Sequence, residues 1–276
     1  MLVVRKLYFM SVLFAVVFSI MTASLSEAQA DNGNSFSLGI VPQQSAKTIH
    51  GLWSPLIKYI EQQTNYPFYL HGSANIPTFE DSLFTGKFDL AYVNPRTFID
   101  ASKHAGYLPL VREGQKKLKG IIVVSKDSKL QSLTDLNGLR FVSPKNAFAA
   151  STLTRLNMHA LGLKFTNSFV STHTHGYALV AAGAVDAAGG VLRTFNSLEP
   201  ELKNRLRILW TSAGVTPHAF IIHPRINDIV KQRILDAILS FKDTPEGAEF
   251  YSAMHMTPFI EAENKDWDDV RQLMGF

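Results

Sequence analysis

The sequence predicts an α/β protein made of two similar α/β units followed by a helical C-terminal segment. Short apolar runs alternate with segments whose apolar residues recur every three to four positions, as on one face of a helix. The repeated order of strand, helix and strand favours parallel sheets with crossover helices. The 276 residues suit about two domains. No linker rich in Ser, Gly or Pro separates the units, so we expect two lobes joined by strands and hinged around a cleft.

Composition excludes several classes of protein. Hydrophobic residues make up 46% of the chain and charged residues 18%, which is typical of a globular protein and excludes wholesale disorder. The absence of cysteine excludes a disulfide scaffold, a thiolate zinc site, a cysteine nucleophile and a lipidated N-terminal cysteine. The net charge of +4 is too small to indicate a nucleic-acid partner.

Residues 1–30 have the three parts of a secretory signal peptide. Arg5 and Lys6 form a basic start, 7–23 is nearly continuous apolar sequence, and Ala28-Gln29-Ala30 matches a small-x-small cleavage site. The alternative is an uncleaved membrane anchor, for which the apolar run is at the lower limit of length. We expect cleavage after Ala30 and a mature protein exported to the periplasm.

The first predicted α/β unit begins directly after this segment. Its predicted strands are short apolar runs, at 36–41, 67–70 and 89–93. Its predicted helices, at 47–63 and 78–84, have helical apolar spacing. Asn94 and Pro95 suit the N-cap and first turn of a further helix.

The second predicted unit repeats this order over about 120–210. Its strands are predicted at 119–125, 139–142, 165–171 and 185–191. Its helical segments are predicted at 133–136, 147–161 and 176–182. Two further strands, at 207–211 and 219–223, precede helices at 227–241, from 245 onward and at 265–274. Because the chain must cross out and back, we expect one lobe of 31–120 plus 213–276 and another of 121–212.

Ligands of open parallel sheets bind beyond the carboxyl ends of the strands, so the loops there hold the candidate site. In the first such loop, Gln44 and Ser45 offer donors to an oxyanion, although Ser45 equally suits a simple helix cap. In the second loop, the Tyr92 side chain points either to the cleft or into the core. Asn94 either binds the ligand or caps the helix that follows.

The third loop is the best candidate for an anion site. Asn146 stands where a strand ends and a helix begins, and the helix dipole there favours an anion. The apolar residues that follow, Ala147, Phe148 and Ala149, include small side chains that let a ligand approach the backbone. A plain capping turn is the alternative.

The fourth loop contains an H-x-H pair. In extended backbone, His173 and His175 place both rings on one face, where they bind a metal, contact an anion or play a structural part. No HExxH or acidic loop accompanies them. Farther on, the forked guanidinium of Arg193 suits an oxyanion, with a surface salt bridge as the alternative, and His218 is a further candidate donor.

Almost the whole mature chain, about 36–272, resembles the periplasmic phosphate/phosphite/phosphonate-binding proteins of ABC importers. The stretches that carry the resemblance are FSLGIVPQQSAKTIHGLWSPLIKYIEQQTNYPFYL, GKFDLAYVNPRTFIDA, GIIVVSKDSKLQSLTDLNGLRFVSPKNAFAAS and THTHGYALVAAGAVDAAGG, in that order. The resemblance implies the type II periplasmic-binding-protein fold, in which two α/β lobes are joined by two crossing strands. It also implies that His173 is the histidine that family members use against phosphonate oxygens.

The resemblance implies a transport receptor and not an enzyme. A monomer without cofactor or metal captures a small oxyanion between its lobes and presents it to an ABC permease in the inner membrane. The chain departs from the family at three places. Residues 146–149 replace a Ser-Thr-Ser-Gly type turn, and Thr174 replaces a common Asp. Gly189-Gly190 stands where the family has acidic groups for the ammonium of an aminophosphonate. Two alternatives are a ligand-sensing module acting with a membrane kinase and an exported metal-dependent hydrolase using His173 and His175. Motifs of other enzyme classes, GxSxG, Walker A and GxGxxG, are missing from the sequence.

Overall fold

A computed structural model describes residues 35–275, and the predicted signal peptide lies outside this range. Eleven strands of this range form two sheets: β1 Phe36–Ile40, β2 Phe68–His71, β3 Leu90–Val93, β4 Leu108–Glu113, β5 Gly120–Ser125, β6 Arg140–Pro144, β7 Thr166–Val170, β8 Ala187–Val191, β9 Leu206–Thr211, β10 Ala219–Ile222 and β11 Phe259–Glu261. The six-stranded sheet has the order β11-β4-β10-β3-β1-β2, and the five-stranded sheet has the order β7-β6-β8-β5-β9.

The helices lie between these strands in the predicted alternation. The α-helices are α1 Ala46–Thr64, α2 Ile76–Phe84, α3 Pro95–Ala105, α4 Thr154–Ala160, α5 His173–Ala181, α6 Leu192–Asn196, α7 Pro200–Lys203, α8 Asp228–Ser240, α9 Pro245–Ala253 and α10 Asp268–Met274. Shorter turns of 3₁₀-helix span Leu133–Leu136, Phe241–Asp243 and Asn264–Trp267, and a π-helix spans Phe148–Leu153. Within residues 35–275 no helix combines the length and apolarity that a membrane span needs.

Pairing within the sheets follows from how the strands are connected. Strands joined through a helix pair in parallel: β1 with β2 and β3, and β6 with β7 and β8. Strands at which the chain enters or leaves a sheet run antiparallel, as β10 does to β3 and β4, and as β5 does to β8 and β9.

The chain crosses between the sheets twice, after β4 and after β9. The two crossing segments pair with each other, since Leu118 N–H donates to the Val215 carbonyl at 2.8 Å and Val215 N–H donates to the Leu118 carbonyl at 2.9 Å. Two paired crossing strands are the hinge that the predicted fold class requires. The lobe limits, 31–120 plus 213–276 and 121–212, stay a prediction.

Two strands were not predicted from the sequence. Strand β4 carries Pro109 and Arg112, which break its apolar run, and β11 has only three residues. Both lie at one edge of the six-stranded sheet, where tertiary pairing rather than local pattern makes the strand.

The five-stranded sheet is built around a strand of small residues. Strand β8 reads AAGGV and is buried along its whole length. A Cβ at Gly189 would collide with the Ala150 carbonyl of the π-helix, and one at Gly190 would collide with the Tyr177 hydroxyl of α5. The glycines therefore let a helix approach closely from each face of the strand.

Two local predictions were wrong. Residues 147–161 do not form a single α-helix, because the segment starts as the π-helix and becomes α4 only at Thr154. The H-x-H pair is not extended, because Thr172 caps α5 by accepting a hydrogen bond from His175 N–H at 3.1 Å, so the helix begins at His173.

Candidate functional site

Arg193, in the first turn of α6, joins the two sheets. Its Nη1 donates to the Tyr92 hydroxyl at the end of β3, and its Nη2 donates to the Glu113 carboxylate at the end of β4, each at 2.9 Å. The side chains of Arg193 and Glu113 are 17% and 4% exposed. The pair is therefore a buried bridge across the cleft and not the surface salt bridge that was the alternative for Arg193. Arg193 Nε is buried and has no partner within residues 35–275.

Glu113 has both of its oxygens occupied. Oε2 accepts from Arg193, and Oε1 accepts from Thr257 N–H at 2.9 Å. A buried carboxylate needs such compensation, because an unpaired charge in the interior is costly. The negative charge of Glu113 is consequently neutralised by Arg193, and the carboxylate is not available as a counterion for a cationic ligand.

Tyr92 and His218 stack against each other beside this bridge. Their ring centroids are 5.3 Å apart and the ring planes differ by 14°. Burial raises the pKa of Tyr92, so the phenol keeps its proton. Burial, followed by the positive charge of Arg193, lowers the pKa of His218 well below its usual range, so the imidazole is neutral at pH 7.

The contact of Gln43 with His218 fixes where the imidazole proton lies. The amide nitrogen of Gln43 is 2.9 Å from His218 Nε2. An amide nitrogen donates, so Nε2 accepts, and the single proton of the neutral ring lies on Nδ1. His218 Nδ1 is buried and has no acceptor among the described residues. It is therefore a free hydrogen-bond donor inside the protein.

His173 is held at the start of α5 with one nitrogen free. The residue is 1% exposed, and its Nδ1 lies 3.0 Å from the Thr194 hydroxyl. Its Nε2 is buried and has no partner within residues 35–275. Burial lowers the pKa of His173 to about 3, so the ring is neutral at pH 7. His175, by contrast, is exposed, and the two rings do not share a face.

Asn94 both caps a helix and keeps a donor free. Its Oδ1 accepts from Thr97 N–H at 2.9 Å and so caps α3, as predicted. Its Nδ2 is buried and has no partner in the described part of the chain. The two alternatives for this residue, cap and donor, are therefore compatible.

The loop before the π-helix reaches across to the other sheet. Asn146, at φ 61°, donates from Nδ2 to the Glu80 carboxylate of α2 at 2.6 Å. The left-handed conformation suits asparagine better than most residues. The amide nitrogen of Asn146 is thus engaged with protein. Burial raises the pKa of Glu80, although hydrogen bonds from Thr97 and Asn146 act in the opposite direction.

Residues 147–149 are buried where the π-helix begins. Ala147, Phe148 and Ala149 are at most 3% exposed and belong to the same apolar cluster as the core of the six-stranded sheet. The first N–H groups of a helix have no acceptor within it, so this turn presents backbone donors. Gly120 permits the close approach, since a Cβ there would collide with the Ala149 carbonyl.

Gln44 and Ser45 take different positions in the first loop. Ser45 is exposed and caps α1 by accepting from Thr48 N–H at 3.2 Å, which is its simple capping alternative. Gln44 is half-buried and lines a cavity of about 20 Å³ together with Tyr92 and Arg193. A cavity of that size holds about one water.

Three buried donors that find no acceptor in the described part of the chain thus occur around Tyr92: Asn94 Nδ2, Arg193 Nε and His218 Nδ1. Asn94 follows Tyr92 in β3 by two residues, Arg193 bonds to the Tyr92 hydroxyl, and His218 stacks on its ring. An unsatisfied buried donor costs about 1–3 kcal/mol, so a cluster of them indicates a missing acceptor.

Ser45 and His175 lie on exposed surface. Arg193 bonds to Tyr92, two residues before Asn94, and His173 contacts Thr194, the residue after Arg193. Sequence reasoning missed Glu113, because it ends β4, a strand that was not predicted, and lies 80 residues from its partner. It also missed Glu80, a helical carboxylate with no local signal. Within residues 35–275 no group of three or more His, Cys, Asp or Glu side chains is arranged to hold a metal ion.

Comparison with known proteins places these features in a family context. The family described as "ABC transporter, phosphonate, periplasmic substrate-binding protein" matches residues 38–267. The resemblance predicted from the sequence is thereby confirmed.

Solved structures agree with the fold. A binding-protein component of an ABC phosphonate transporter from Pseudomonas aeruginosa aligns with a TM-score of 0.81 and 18% identity, covering 88% of this chain and 86% of its own. PhnD1 of Prochlorococcus marinus, solved with methylphosphonate, aligns at 0.78 and 18%, covering 88% and 97%. The alkanesulfonate-binding protein of Xanthomonas axonopodis pv. citri, solved with MOPS, aligns at 0.65 and 18%, covering 87% and 90%. The two-lobed fold class is confirmed.

Proposed function

Because the chain belongs to the family of periplasmic substrate-binding proteins of phosphonate ABC transporters, we propose that it captures a small phosphonate-like oxyanion between its lobes. Phosphonate, phosphite and phosphate share a tetrahedral group of acceptor oxygens. The observation that carries the proposal is the cluster of buried donors without acceptors at Asn94, Arg193 and His218. A tetrahedral oxyanion supplies several acceptors from one point, which this arrangement needs.

Each donor supports binding in a different way. Arg193 Nε brings positive charge, while its other nitrogens hold Tyr92 and Glu113 and so fix the guanidinium in place. His218 and Asn94 are neutral donors, and each is oriented by a bond to its other polar atom. Such fixed donors lose little conformational freedom on binding. We assign the single proton of the neutral His173 ring to Nε2, with Nδ1 accepting from the Thr194 hydroxyl, so that Nε2 donates to the ligand. The backbone N–H groups at the start of the π-helix complete the proposed site.

The two neighbouring complexes support an oxyanion of this class. PhnD1 of Prochlorococcus marinus was solved with methylphosphonate and the alkanesulfonate-binding protein with MOPS, which carries a sulfonate. We propose export to the periplasm after cleavage at Ala30, a monomeric state, and delivery of the ligand to an ABC permease. The family match is to a transport component, which favours import over sensing with a membrane kinase.

Binding without chemical conversion fits the histidines. A general base works best with a pKa near the working pH, whereas burial lowers the pKa of His173 to about 3. His175 is exposed and turned away from it, so the two do not form a shared metal or acid–base pair.

A thermal-shift screen tests the proposal. Purified protein is heated with phosphate, phosphite, methylphosphonate, sulfate or no addition, and positive compounds are titrated by calorimetry. A true ligand raises the melting temperature by mass action. If none of these anions raises it, while the protein melts cooperatively, the proposed function is wrong.

A further inference from the structure

We propose that the ligand carries a second anionic group and that this group lies in a cationic chamber beside the oxyanion site. This inference rests on the proposed function, because the chamber shares residues with that site. The chamber has a volume of about 400 Å³. A cavity of several hundred Å³ accommodates a ligand larger than a bare oxyanion. We call it the lysine chamber, after Lys116, Lys117 and Lys119 in its wall.

The lysine chamber shares two residues with the proposed oxyanion site. Arg193 and His218 line it, and these residues carry two of the buried donors that lack acceptors. A ligand held by Arg193 Nε and His218 Nδ1 therefore has the chamber next to its headgroup. Whatever substituent the headgroup bears has to extend into this space or toward the cleft opening.

The charge of the chamber wall is unbalanced. Glu113 is its carboxylate, and that side chain is already occupied by Arg193 and by Thr257 N–H. Lys117 is offset by Asp269, which lies outside the wall, whereas the described residues offer no carboxylate to Lys116 or Lys119. A substituent with a negative charge is thus favoured, and an ammonium group faces positive charge without an available counterion.

The lysines differ in how firmly they are held. Lys116 Nζ donates to the His255 carbonyl at 2.8 Å. Lys117 Nζ donates to the Thr216 hydroxyl at 3.2 Å and lies 3.5 Å from Asp269 in an exposed pair. For Lys119, which immediately precedes β5, the described residues provide no hydrogen-bond or ion-pair partner. Lys119 is therefore the cation most available to a ligand.

The first experiment compares ligands by calorimetry. Methylphosphonate tests binding of the phosphonate headgroup at the oxyanion site alone. Phosphonoacetate adds a carboxylate, and isobutylphosphonate adds a group of the same shape without charge. The fourth compound, 2-aminoethylphosphonate, adds an ammonium group. We expect phosphonoacetate to bind roughly tenfold more tightly than isobutylphosphonate at low salt, with the ratio falling as NaCl is added. We expect 2-aminoethylphosphonate to bind no more tightly than methylphosphonate.

The second experiment uses a matched pair of variants. Lys119→Gln removes the free charge of the chamber, and Lys126→Gln removes an exposed lysine at the opposite end of β5. Lys119→Gln should lower the phosphonoacetate-to-isobutylphosphonate ratio about threefold and leave methylphosphonate affinity unchanged. Lys126→Gln should change neither.

The outcomes separate the two proposals. If methylphosphonate binds but phosphonoacetate binds no more tightly than isobutylphosphonate, the lysine chamber has no role in ligand choice and this inference is overturned, while the proposed function stands. Tighter binding of 2-aminoethylphosphonate overturns it in the same way. If none of the four compounds binds but phosphate or phosphite does, the inference is overturned and the proposed function stands. If no anion of either set binds, the proposed function itself fails and the inference falls with it.

Discussion

Two polar bridges join the sheets of this protein, and they differ in whether their members satisfy one another. In the first, Arg193 holds Tyr92 and Glu113 but keeps Nε free. In the second, Asn146 donates to one oxygen of Glu80 at 2.6 Å, and the Thr97 hydroxyl donates to the other at 2.7 Å. The Asn146 bridge is complete in itself, whereas the Arg193 bridge lacks an acceptor.

This difference suggests a division of roles. A bridge whose donors and acceptors are matched stabilises closure of the cleft whether or not a ligand is present. A bridge that leaves a buried donor unpaired gains further free energy when an acceptor enters, and a ligand shifts closure only by its differential affinity for the closed state. We therefore expect changes at the Arg193 bridge to affect ligand binding strongly, and changes at the Asn146 bridge to affect mainly closure.

The largest effect is expected from Arg193→Ala. The change leaves the Glu113 carboxylate buried without its cation, and breaking a buried pair in this way costs about 3–5 kcal/mol. Urea unfolding measures the loss of stability. Adding Glu113→Gln to Arg193→Ala should recover part of it, because the unpaired charge is gone. Equal stability of the wild type and Arg193→Ala would show that the bridge does not form in solution.

Acid should destabilise the protein through its buried histidines. The folded pKa of His173 is about 3, below its usual 6.5, so between these values the unfolded chain takes up a proton that the folded chain does not. Stability is therefore full above pH 6.5 and is lost as pH falls, by about 1.4 kcal/mol per pH unit for this group. The lowered pKa of His218 acts in the same direction.

Unfolding free energies from pH 7.5 to 4.5, in phosphate-free buffers, measure this slope. His173→Gln should flatten it, and His175→Gln, at an exposed neighbour, should leave it unchanged. Glu80 acts in the opposite sense, because its raised pKa lets the folded state bind a proton more tightly, so its contribution to stability increases in acid. A slope that His173→Gln leaves intact would contradict the burial of a neutral His173.

The comparison of the bridges also shows how far the sequence could predict the site. Caps at Ser45 and Asn94 were predictable, because a polar side chain before Pro or a helical pattern is a local signal. The start of α5 was misjudged, although Thr172 offered the same kind of signal. The partners of Arg193 and Asn146 were not predictable, since Glu113 and Glu80 lie 80 and 66 residues away and only the packed sheets bring them close.

The π-helix could not be predicted for a related reason. Its sequence, FAASTL, is compatible with an ordinary α-helix. Its close contact with the sheet depends on Gly120 of β5 and Gly189 of β8, which leave room for the carbonyls of the π-helix. The strand alternation, by contrast, was predictable from apolar runs and turn residues, because it depends on local pattern.

The next largest effect is a loss of ligand affinity in His173→Ala. If Nε2 contacts the oxyanion, removing the ring leaves a buried acceptor unpaired at a cost of about 1–3 kcal/mol, or roughly 5- to 150-fold in dissociation constant. His175→Ala is the matched control, because that ring is exposed. Calorimetry with the tightest anion of the screen gives both values. Unchanged affinity of a normally folded His173→Ala would remove this residue from the site.

The smallest effect is expected at the Asn146 bridge. Asn146→Ala removes the amide that holds Glu80 and places alanine at φ 61°, where a Cβ is strained, so two effects mix. Asn146→Gly removes the same amide but suits this backbone conformation. Since no ligand donor is lost, we expect Asn146→Gly to weaken anion binding only about two- to fivefold, through a less favourable closure. Small-angle scattering of the variant should show a more open average form without ligand and the wild-type compact form at saturation. A loss of affinity as large as that of His173→Ala would place the Asn146 amide on the ligand itself and make the two bridges alike.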